Sequence, residues 1–135
     1  MKKDIPFHKV EDLAMVIAPR EKEFEEDELW DVFLINFKEE AIKDVLIHSK
    51  GYGEIEGEDR KTSQFRFYFE KIEANSATTV EQIQPKVFEM TNEYWISFRH
   101  DGYMYDKKYI FVKGSIDPQH FTSIPLLNKK GVMIK

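Results

Sequence analysis

Histidine is the side chain that most often performs acid–base and metal chemistry near neutral pH. The chain contains four histidines, which are His8, His48, His100 and His120. A metal site needs three or four ligands close together, and no short spacing in the sequence groups these residues. His100 precedes Asp101, and His120 follows Asp117 by three residues, a placement typical of polar residues at turns. The sequence therefore predicts no metal ion and no cofactor.

Nucleophilic catalysis also lacks a recognisable signal. The chain has no cysteine, and no Gly-x-Ser-x-Gly motif occurs in it. Ser49, Ser63, Ser97 and Ser123 have no recognisable base nearby in the sequence. The glycines of residues 51–57 match neither Gly-x-Gly-x-x-Gly nor a P-loop. We interpret this segment as a turn-rich connection and predict no catalytic residue.

Paired carboxylates are the remaining route to catalysis. Glu25, Glu26, Asp27 and Glu28 are four consecutive acids, so composition alone does not exclude the pair of carboxylates that a glycosidase uses. Such a site requires one carboxyl group that is desolvated in a cleft with a raised pKa, whereas adjacent acids in a charged loop are usually solvated. The sequence leans against an enzyme and leaves a hydrolase based on carboxylates and a histidine as an alternative.

Charge and composition narrow the class of partner and the compartment. The net charge of −5 disfavours nucleic acids, because their binding normally requires a basic surface. No segment approaches the roughly 18 to 20 apolar residues of a membrane span, and none has the pattern of a signal peptide. Together with the absence of cysteine, these features predict a soluble, cytoplasmic protein with neither a nucleic-acid nor a membrane partner.

The charges are distributed unevenly along the chain. Residues 20–31 contain seven acids against Arg20 and Lys22, whereas residues 107–135 contain six lysines against Asp117. Solvated loop and tail charges are the simplest interpretation. The asymmetry also allows the acidic segment to lie near the basic C-terminal part, within one molecule or between two.

The strongest local signal is a β-hairpin centred on Asp101–Gly102. The aromatic-rich runs 94–100 and 103–112 alternate on either side of this dipeptide, which suits the two positive-φ positions of a type I′ turn. A two-residue turn sets the register. His100 then pairs with Tyr103, and the pairing continues outward along both strands, for example from Phe98 with Tyr105 to Tyr94 with Tyr109. The pattern fixes this local architecture but indicates no reaction.

The two faces of this hairpin differ in character. The predicted core face consists of Tyr94, Ile96, Phe98, Tyr105, Tyr109 and Phe111. The opposite face carries Trp95, Ser97, Arg99, Met104, Asp106, Lys108 and Ile110. Because interfaces favour tryptophan and arginine, we take Trp95, Arg99, Met104 and Lys108 as candidate partner-binding residues. Alternatively, the indole of Trp95 is covered locally by the lysine stem or by a loop.

Several other segments have the alternating or continuously apolar pattern of strands. They are residues 13–18, 29–37, 42–49, 64–72 and 78–83, with a weakly signalled final strand at 132–134. The runs 29–37 and 42–49 are expected to form a second hairpin. In the run 64–72, Phe65, Phe67 and Phe69 share one face.

Six to eight short strands separated by turn residues predict an all-β fold. An antiparallel β-sandwich is expected, with an immunoglobulin-like arrangement as the first choice within that class. The length suits one domain, residues 1–135, with a weakly structured C-terminal tail from about residue 115.

Four short runs carry a resemblance to other proteins. They are residues 29–36 (LWDVFLIN), 49–53 (SKGYG), 92–95 (NEYW) and 105–109 (YDKKY). These runs resemble segments of small uncharacterised all-β proteins of Bacteroidetes-type bacteria. The resemblance implies a bacterial, intracellular origin, and it transfers no activity because those proteins have no established function.

Two functions from different classes follow from these observations. The first is a non-catalytic β-sandwich module that binds another protein or itself, through a sheet edge or through the face of Trp95. The second is a small-ligand or carbohydrate-binding domain, or an enzyme, with a cleft between residues 51–60 and the turn at 100–103. The candidate ligand residues of that cleft are Tyr52, His100, Asp101 and Tyr103.

Overall fold

The fold is that of a computed structural model, which describes residues 9–20, 28–62 and 64–135. Within these residues the regular structure consists of ten β-strands and two short 3-10 turns, which confirms the all-β prediction. The strands are β1 Leu13–Pro19, β2 Trp30–Asn36, β3 Ile42–Ile55, β4 Glu58–Lys61, β5 Phe65–Ile72, β6 Ser76–Ile83, β7 Thr91–His100, β8 Tyr103–Phe111, β9 Thr122–Ile124 and β10 Lys129–Ile134. The described strands thus exceed the predicted six to eight.

The strands form two antiparallel sheets that pack against each other as a β-sandwich. The first sheet has the order β6-β2-β1-β10-β9. The second has the order β5-β3-β7-β8, and β4 continues the line of β5 along the second half of β3. Apolar side chains from the inner faces of both sheets form one buried cluster, which includes Met15, Leu34, Ile47, Ile96 and Phe111.

The connectivity agrees with the immunoglobulin-like choice. The chain makes same-sheet connections from β1 to β2, β3 to β5 and β7 to β8, and it crosses between sheets from β2 to β3, β5 to β6 and β6 to β7. Strands β1, β2 and β6 therefore take the places of A, B and E, and β3, β7 and β8 those of C, F and G. Strands β9 and β10 extend the first sheet beyond this arrangement.

The predicted hairpin between residues 29–37 and 42–49 is wrong. Strand β2 is buried along its whole length and pairs with β1 and β6, whereas β3 lies in the other sheet. Residues 37–41 carry the chain across the sandwich. The sequence pattern identified both strands correctly, but their partners are distant in sequence, and strand pattern alone does not select a partner.

The hairpin of β7 and β8 has the predicted register. His100 pairs with Tyr103, and the register continues without interruption to Asn92 and Phe111. Asp101 and Gly102 have φ of 52° and 80°, as a type I′ turn requires. The side chains predicted for the core face are buried or partly buried, which confirms the assignment of the two faces.

Residues 51–55 belong to a strand rather than to the predicted loop. Strand β3 continues to Ile55, and a tight turn at Glu56–Gly57 connects it to β4. Gly51 is needed there because a Cβ atom would lie 2.8 Å from Cγ2 of Thr62, whose hydroxyl oxygen accepts a hydrogen bond from the N–H group of Gly51. Gly51 therefore permits close packing inside a strand.

The predicted weakly structured tail from about residue 115 is also wrong. Strand β10 lies inside the first sheet and pairs with β1 and β9, and it is longer than the predicted strand at 132–134. Ile116, Ile124 and Val132 are buried. Turn residues are frequent in this segment because it contains two short strands and a 3-10 turn, all of them packed on the sandwich.

Most of the acidic segment lies outside the described residues, since residues 21–27 are not among them. At its ends, the guanidinium group of Arg20 donates to the carboxylate of Asp31 at 2.8 Å. The ammonium group of Lys129 lies 3.4 Å from the carbonyl oxygens of Pro19 and Arg20, so one C-terminal lysine adjoins the start of this segment. Among the residues described, no helix has the length and apolarity needed to span a membrane.

One acidic side chain lies between the sheets. Strand β6 bulges where it pairs with β2, and the half-buried Glu81 beside the bulge accepts hydrogen bonds from Tyr94 and Ser49 of the second sheet. Burial raises the pKa of the Glu81 carboxyl group above 4.5, and the two hydrogen bonds offset part of that rise. The folded protein thus binds this proton more strongly than the unfolded chain does.

We expect Glu81→Gln to stabilise the protein at neutral pH. Because folding raises the pKa of Glu81, protonation of this group stabilises the folded protein. This contribution to stability is fully present below pH 4.5, the pKa in the unfolded chain, and is lost as the pH rises through the pKa of the folded protein. The amide removes the buried charge and keeps an acceptor oxygen, so the variant should melt at a higher temperature near pH 7 and the two melting temperatures should converge below 4.5. Glu89→Gln, at an exposed position, is the control. A difference that persists unchanged in acid would contradict this assignment.

Candidate interaction surface

The outer side of the second sheet carries an unusual share of the exposed apolar side chains. Nine large apolar side chains are exposed among the described residues, and five of them lie on this side. They are Leu46, Tyr68, Trp95, Met104 and Ile110. We call this side of β5, β3, β7 and β8 the outward face.

The strand register arranges the outward face in rows across the sheet. One row runs from Arg66 through His48 and Trp95 to Lys108. The next row consists of Tyr68, Leu46, Ser97 and Asp106, in the same strand order. Strand alternation places these side chains opposite the core residues, so the sheet holds them in a fixed pattern.

Trp95 is near the middle of the outward face. Its side chain is 46% exposed, and the ammonium group of Lys108 lies 5.0 Å from the centre of its ring. The lysine therefore covers part of the indole, as one of the two interpretations expected, and contributes a cation–π contact. Almost half of the tryptophan surface stays available to a partner.

A hydrogen-bonded chain of three side chains orders one end of this face. The hydroxyl group of Tyr68 donates to the carboxylate of Asp44 at 2.8 Å, and the guanidinium group of Arg99 lies 2.8 Å from the same carboxylate. The hydrogen bond to Asp44 raises the pKa of Tyr68 above 10.0. Asp44 has φ of 49° where the pairing of β3 with β7 shifts by one residue, and this bulge brings it to Arg99.

A buried carboxylate supports the opposite end of the face. Glu93 is 5% exposed, although it lies in an outward position opposite Lys50 and Ile110. The ammonium groups of Lys50 and Lys108 lie 3.5 Å and 3.8 Å from its carboxylate oxygens, and the Tyr52 hydroxyl group donates to it at 3.5 Å. These contacts hold both lysines against the sheet.

The outward face carries charges of both signs with a small excess of cations, whereas the chain as a whole is acidic. Its cations are Lys43, Lys50, Arg66, Lys71, Arg99 and Lys108, and its acids are Asp44, Glu70, Glu93 and Asp106. Glu93 pairs with Lys50 and Lys108, Asp44 pairs with Arg99, and Asp106 accepts a hydrogen bond from Ser97.

The structure places the four predicted partner-binding residues on one surface. Trp95, Arg99, Met104 and Lys108 all point away from the core, and Arg99 lies opposite Met104. Sequence reasoning missed the contributions of β3 and β5, because it paired β3 with the wrong strand. The alternation of residues 64–72 could have identified the contribution of β5, because it places Arg66 and Tyr68 on the side opposite Phe65, Phe67 and Phe69.

The predicted ligand cleft does not form. Tyr52 pairs with Thr91 at one end of β7, whereas His100, Asp101 and Tyr103 lie at the turn that follows its other end. Nine steps of extended strand lead from Thr91 to His100, which corresponds to about 30 Å at about 3.3 Å per residue. The 51–60 segment and the 100–103 turn therefore occupy opposite ends of the second sheet.

A shallow depression does lie beside His100. Its volume is about 300 Å³, and it is lined by residues 40, 41, 43 and 99–102. The Nε2 atom of His100 is 3.6 Å from a carboxylate oxygen of Glu40, whose side chain is 75% exposed. The Glu40 carboxylate is therefore solvated, whereas Nε2 of His100 is buried without a hydrogen-bond partner among the described residues. The pair lacks the desolvated carboxyl group that general acid catalysis requires.

Neither metal nor nucleophilic chemistry gains support elsewhere in residues 9–20, 28–62 and 64–135. Within these ranges no three acidic or histidine side chains are placed to hold a metal ion. The hydroxyl group of Tyr109 is buried and has no hydrogen-bond partner among the described residues. Burial raises its pKa above the ordinary value of 10.0. A neutral tyrosine of this kind is a core residue.

Fold and surface together define a β-sandwich that presents one ordered sheet face of aromatic, apolar and paired charged side chains. Among known proteins, no family model matches the chain, and no curated protein is significantly similar to it. Function therefore rests on the geometry of this face.

Proposed function

We propose that this protein is a non-catalytic binding module that recognises a partner protein through the outward face. The observation that carries the proposal is the half-exposed Trp95, held by Lys108 among Leu46, Met104 and Ile110. Such a partner presents an apolar patch with few uncompensated charges, because the charged groups nearest Trp95 already pair with one another.

The composition of the face supports a protein as the partner. Tryptophan, tyrosine, methionine and arginine are the residues enriched in protein interfaces, and the face contains Trp95, Tyr68, Met104, Arg66 and Arg99. Preordered side chains lose less conformational freedom on binding, and the contacts of Arg99 and Lys108 supply that order. A small ligand would instead need a concave site, whereas this face follows a sheet.

The proposal is tested by placing a photo-reactive amino acid at position 104 in the intact chain, inside the producing cells. We expect a cross-linked adduct of discrete mass at position 104 and none at position 126, which is exposed outside the outward face. Trp95→Ala should reduce the yield of this adduct by about 10-fold or more, because interface tryptophans are frequent hot spots.

The control is the stability of the variant. Circular dichroism and a melting curve show whether Trp95→Ala keeps its fold, so that a lost adduct is assigned to the surface. Equal adducts at positions 104 and 126, or an adduct at 104 that Trp95→Ala leaves unchanged, would refute recognition through this face. An adduct with twice the chain mass would identify the partner as a second copy.

A further inference from the structure

The free edges of the two sheets differ in how well they are protected against pairing. The edge strand β8 carries Lys107 on its core-facing side, opposite Ile96, and β9 is only three residues long. Strand β6 has a bulge at its pairing with β2, and β4 is four charged residues long. Inward-pointing charges, bulges and short or charged strands are the usual devices that prevent edge-to-edge association.

Strand β5 has none of these devices along its centre. Seven of its eight residues pair with β3 in one register, and its other side is unpaired among the described strands. Its core-facing side chains Phe65, Phe67 and Phe69 remain partly accessible, and Phe65 is 52% exposed. The exposed Lys71 lies near the end of the strand on the outer side, 3.3 Å from Glu73. A long apolar edge of this kind is a template for another strand.

We propose that β5 pairs with β5 of a second copy of this chain, in antiparallel orientation about a two-fold axis at Tyr68. In this register Arg66 of each copy faces Glu70 of the other on the outer side. Phe67 faces Phe69 on the inner side, and the two Tyr68 residues face each other. Opposite charges and aromatic pairs directly across an antiparallel ladder are stabilising.

The charges of β5 are available for this pairing. Among the described residues, neither Arg66 nor Glu70 has an ion-pair partner, and both are exposed, whereas Asp44 and Arg99 of the same face are bound to each other. Tyr68 is held towards β3 by its hydrogen bond to Asp44, which leaves its edge side open. Across a two-fold axis, the unpaired arginine of one copy can therefore pair with the unpaired glutamate of the other.

The dimer would join the two second sheets into one continuous sheet that is eight strands wide, with two copies of the outward face side by side. This goes beyond the proposed binding of a partner and does not depend on it, because β5 would pair through its main chain, whereas a partner would contact the side chains around Trp95; Arg66 and Tyr68 belong to both surfaces. Because the shared edge is short, we expect a dissociation constant in the micromolar range.

The test is light scattering and sedimentation velocity on the full chain from micromolar to millimolar concentration. The native protein should shift from 16.1 kDa towards twice that mass. Arg66→Glu and Glu70→Arg should each weaken the dimer by about 10-fold or more. Each change turns both of the symmetry-related pairs between positions 66 and 70 into pairs of like charges. The double variant with both changes should recover the native dissociation constant.

Mixing the two single variants gives the sharpest readout. Chains with Arg66→Glu carry two acids on the outer side of β5, and chains with Glu70→Arg carry two arginines, so each is mismatched with itself and complementary to the other. The equimolar mixture should dimerise while each variant alone stays monomeric at the same concentration. A native protein that is monomeric throughout, or a mixture that fails to associate, would overturn the proposal.

Two controls separate this edge from other surfaces. Lys108→Asp, on the edge strand β8, and Trp95→Ala, on the outward face, should leave the dimer unchanged. If either variant abolishes the dimer while Arg66→Glu does not, the interface lies elsewhere and pairing through β5 is refuted. The cross-link at position 104, repeated in the Arg66→Glu variant, shows separately whether a partner binds the outward face of the monomer.

Discussion

Replacing Phe98 by alanine is expected to destabilise the protein by about 3–5 kcal/mol, because its ring is completely buried between the sheets. The ring stacks on Tyr105 with 5.1 Å between centroids, so the truncation removes that contact and leaves a cavity. Domains of this size are stable by only about 5–15 kcal/mol, so the change removes a large part of the total.

The matched comparison is Trp95→Ala on the same strand. Tryptophan is the larger side chain, yet it points to solvent, and its loss costs mainly the cation–π contact with Lys108. We expect about 1 kcal/mol or less. Removing the larger ring should therefore be the milder change, and this difference also makes Trp95→Ala usable in binding experiments.

Both variants are measured by urea unfolding, with a lower midpoint and an unchanged slope as the expected result for Phe98→Ala. If Trp95→Ala is as destabilising as Phe98→Ala, the indole is a core group and the outward face is wrongly assigned. If neither change affects the midpoint, the alternation of β7 is incorrect.

Replacing Gly131 by valine is the second change with a large expected effect. A Cβ atom at this position would lie 2.7 Å from Cβ of Ala18 and 2.8 Å from the carbonyl oxygen of Ile17. Both residues belong to β1 and are completely buried, so the added side chain must push β10 away from β1. Overpacking usually costs about 1–3 kcal/mol, and we expect about 3 kcal/mol or more here because backbone is in the way.

The control for this prediction is Lys130→Val, which introduces the same side chain at the exposed neighbouring position. Thermal unfolding should show a clear loss for Gly131→Val and a change within about 0.5 kcal/mol for Lys130→Val. Native stability of Gly131→Val would mean that β10 does not pack against β1, and the C-terminal segment would then be peripheral after all.

The elements that sequence predicted well are those whose information is local. The turn at Asp101–Gly102 determines both its own geometry and the pairing of every residue from Asn92 to Phe111, because a two-residue hairpin leaves one register. The faces of β5 and β7 followed from alternation for the same reason. Local pattern therefore fixed which side chains of these strands face the core.

The partners of β2, β3 and β10 depend on contacts between distant parts of the chain. A continuously apolar strand such as β2 fits between many neighbours, and its sequence does not distinguish β3 from β6. Strand β10 has a weak pattern because Gly131 is there for close packing against β1 rather than for strand propensity. The predicted cleft failed for a related reason, since the direction of β3 beside β7 separates Tyr52 from His100.

The sequence by itself determined an all-β chain, the register of its best hairpin and the outward position of Trp95, because strand alternation and turn chemistry act over a few residues. Only the tertiary structure decided that β3 and β5 complete the outward face and that β5 is a free edge. It also brought Asp44 to Arg99 and Glu81 to Tyr94. These pairings arise from the packing of strands distant in sequence, where the burial of apolar faces selects one arrangement from many that share the same local pattern.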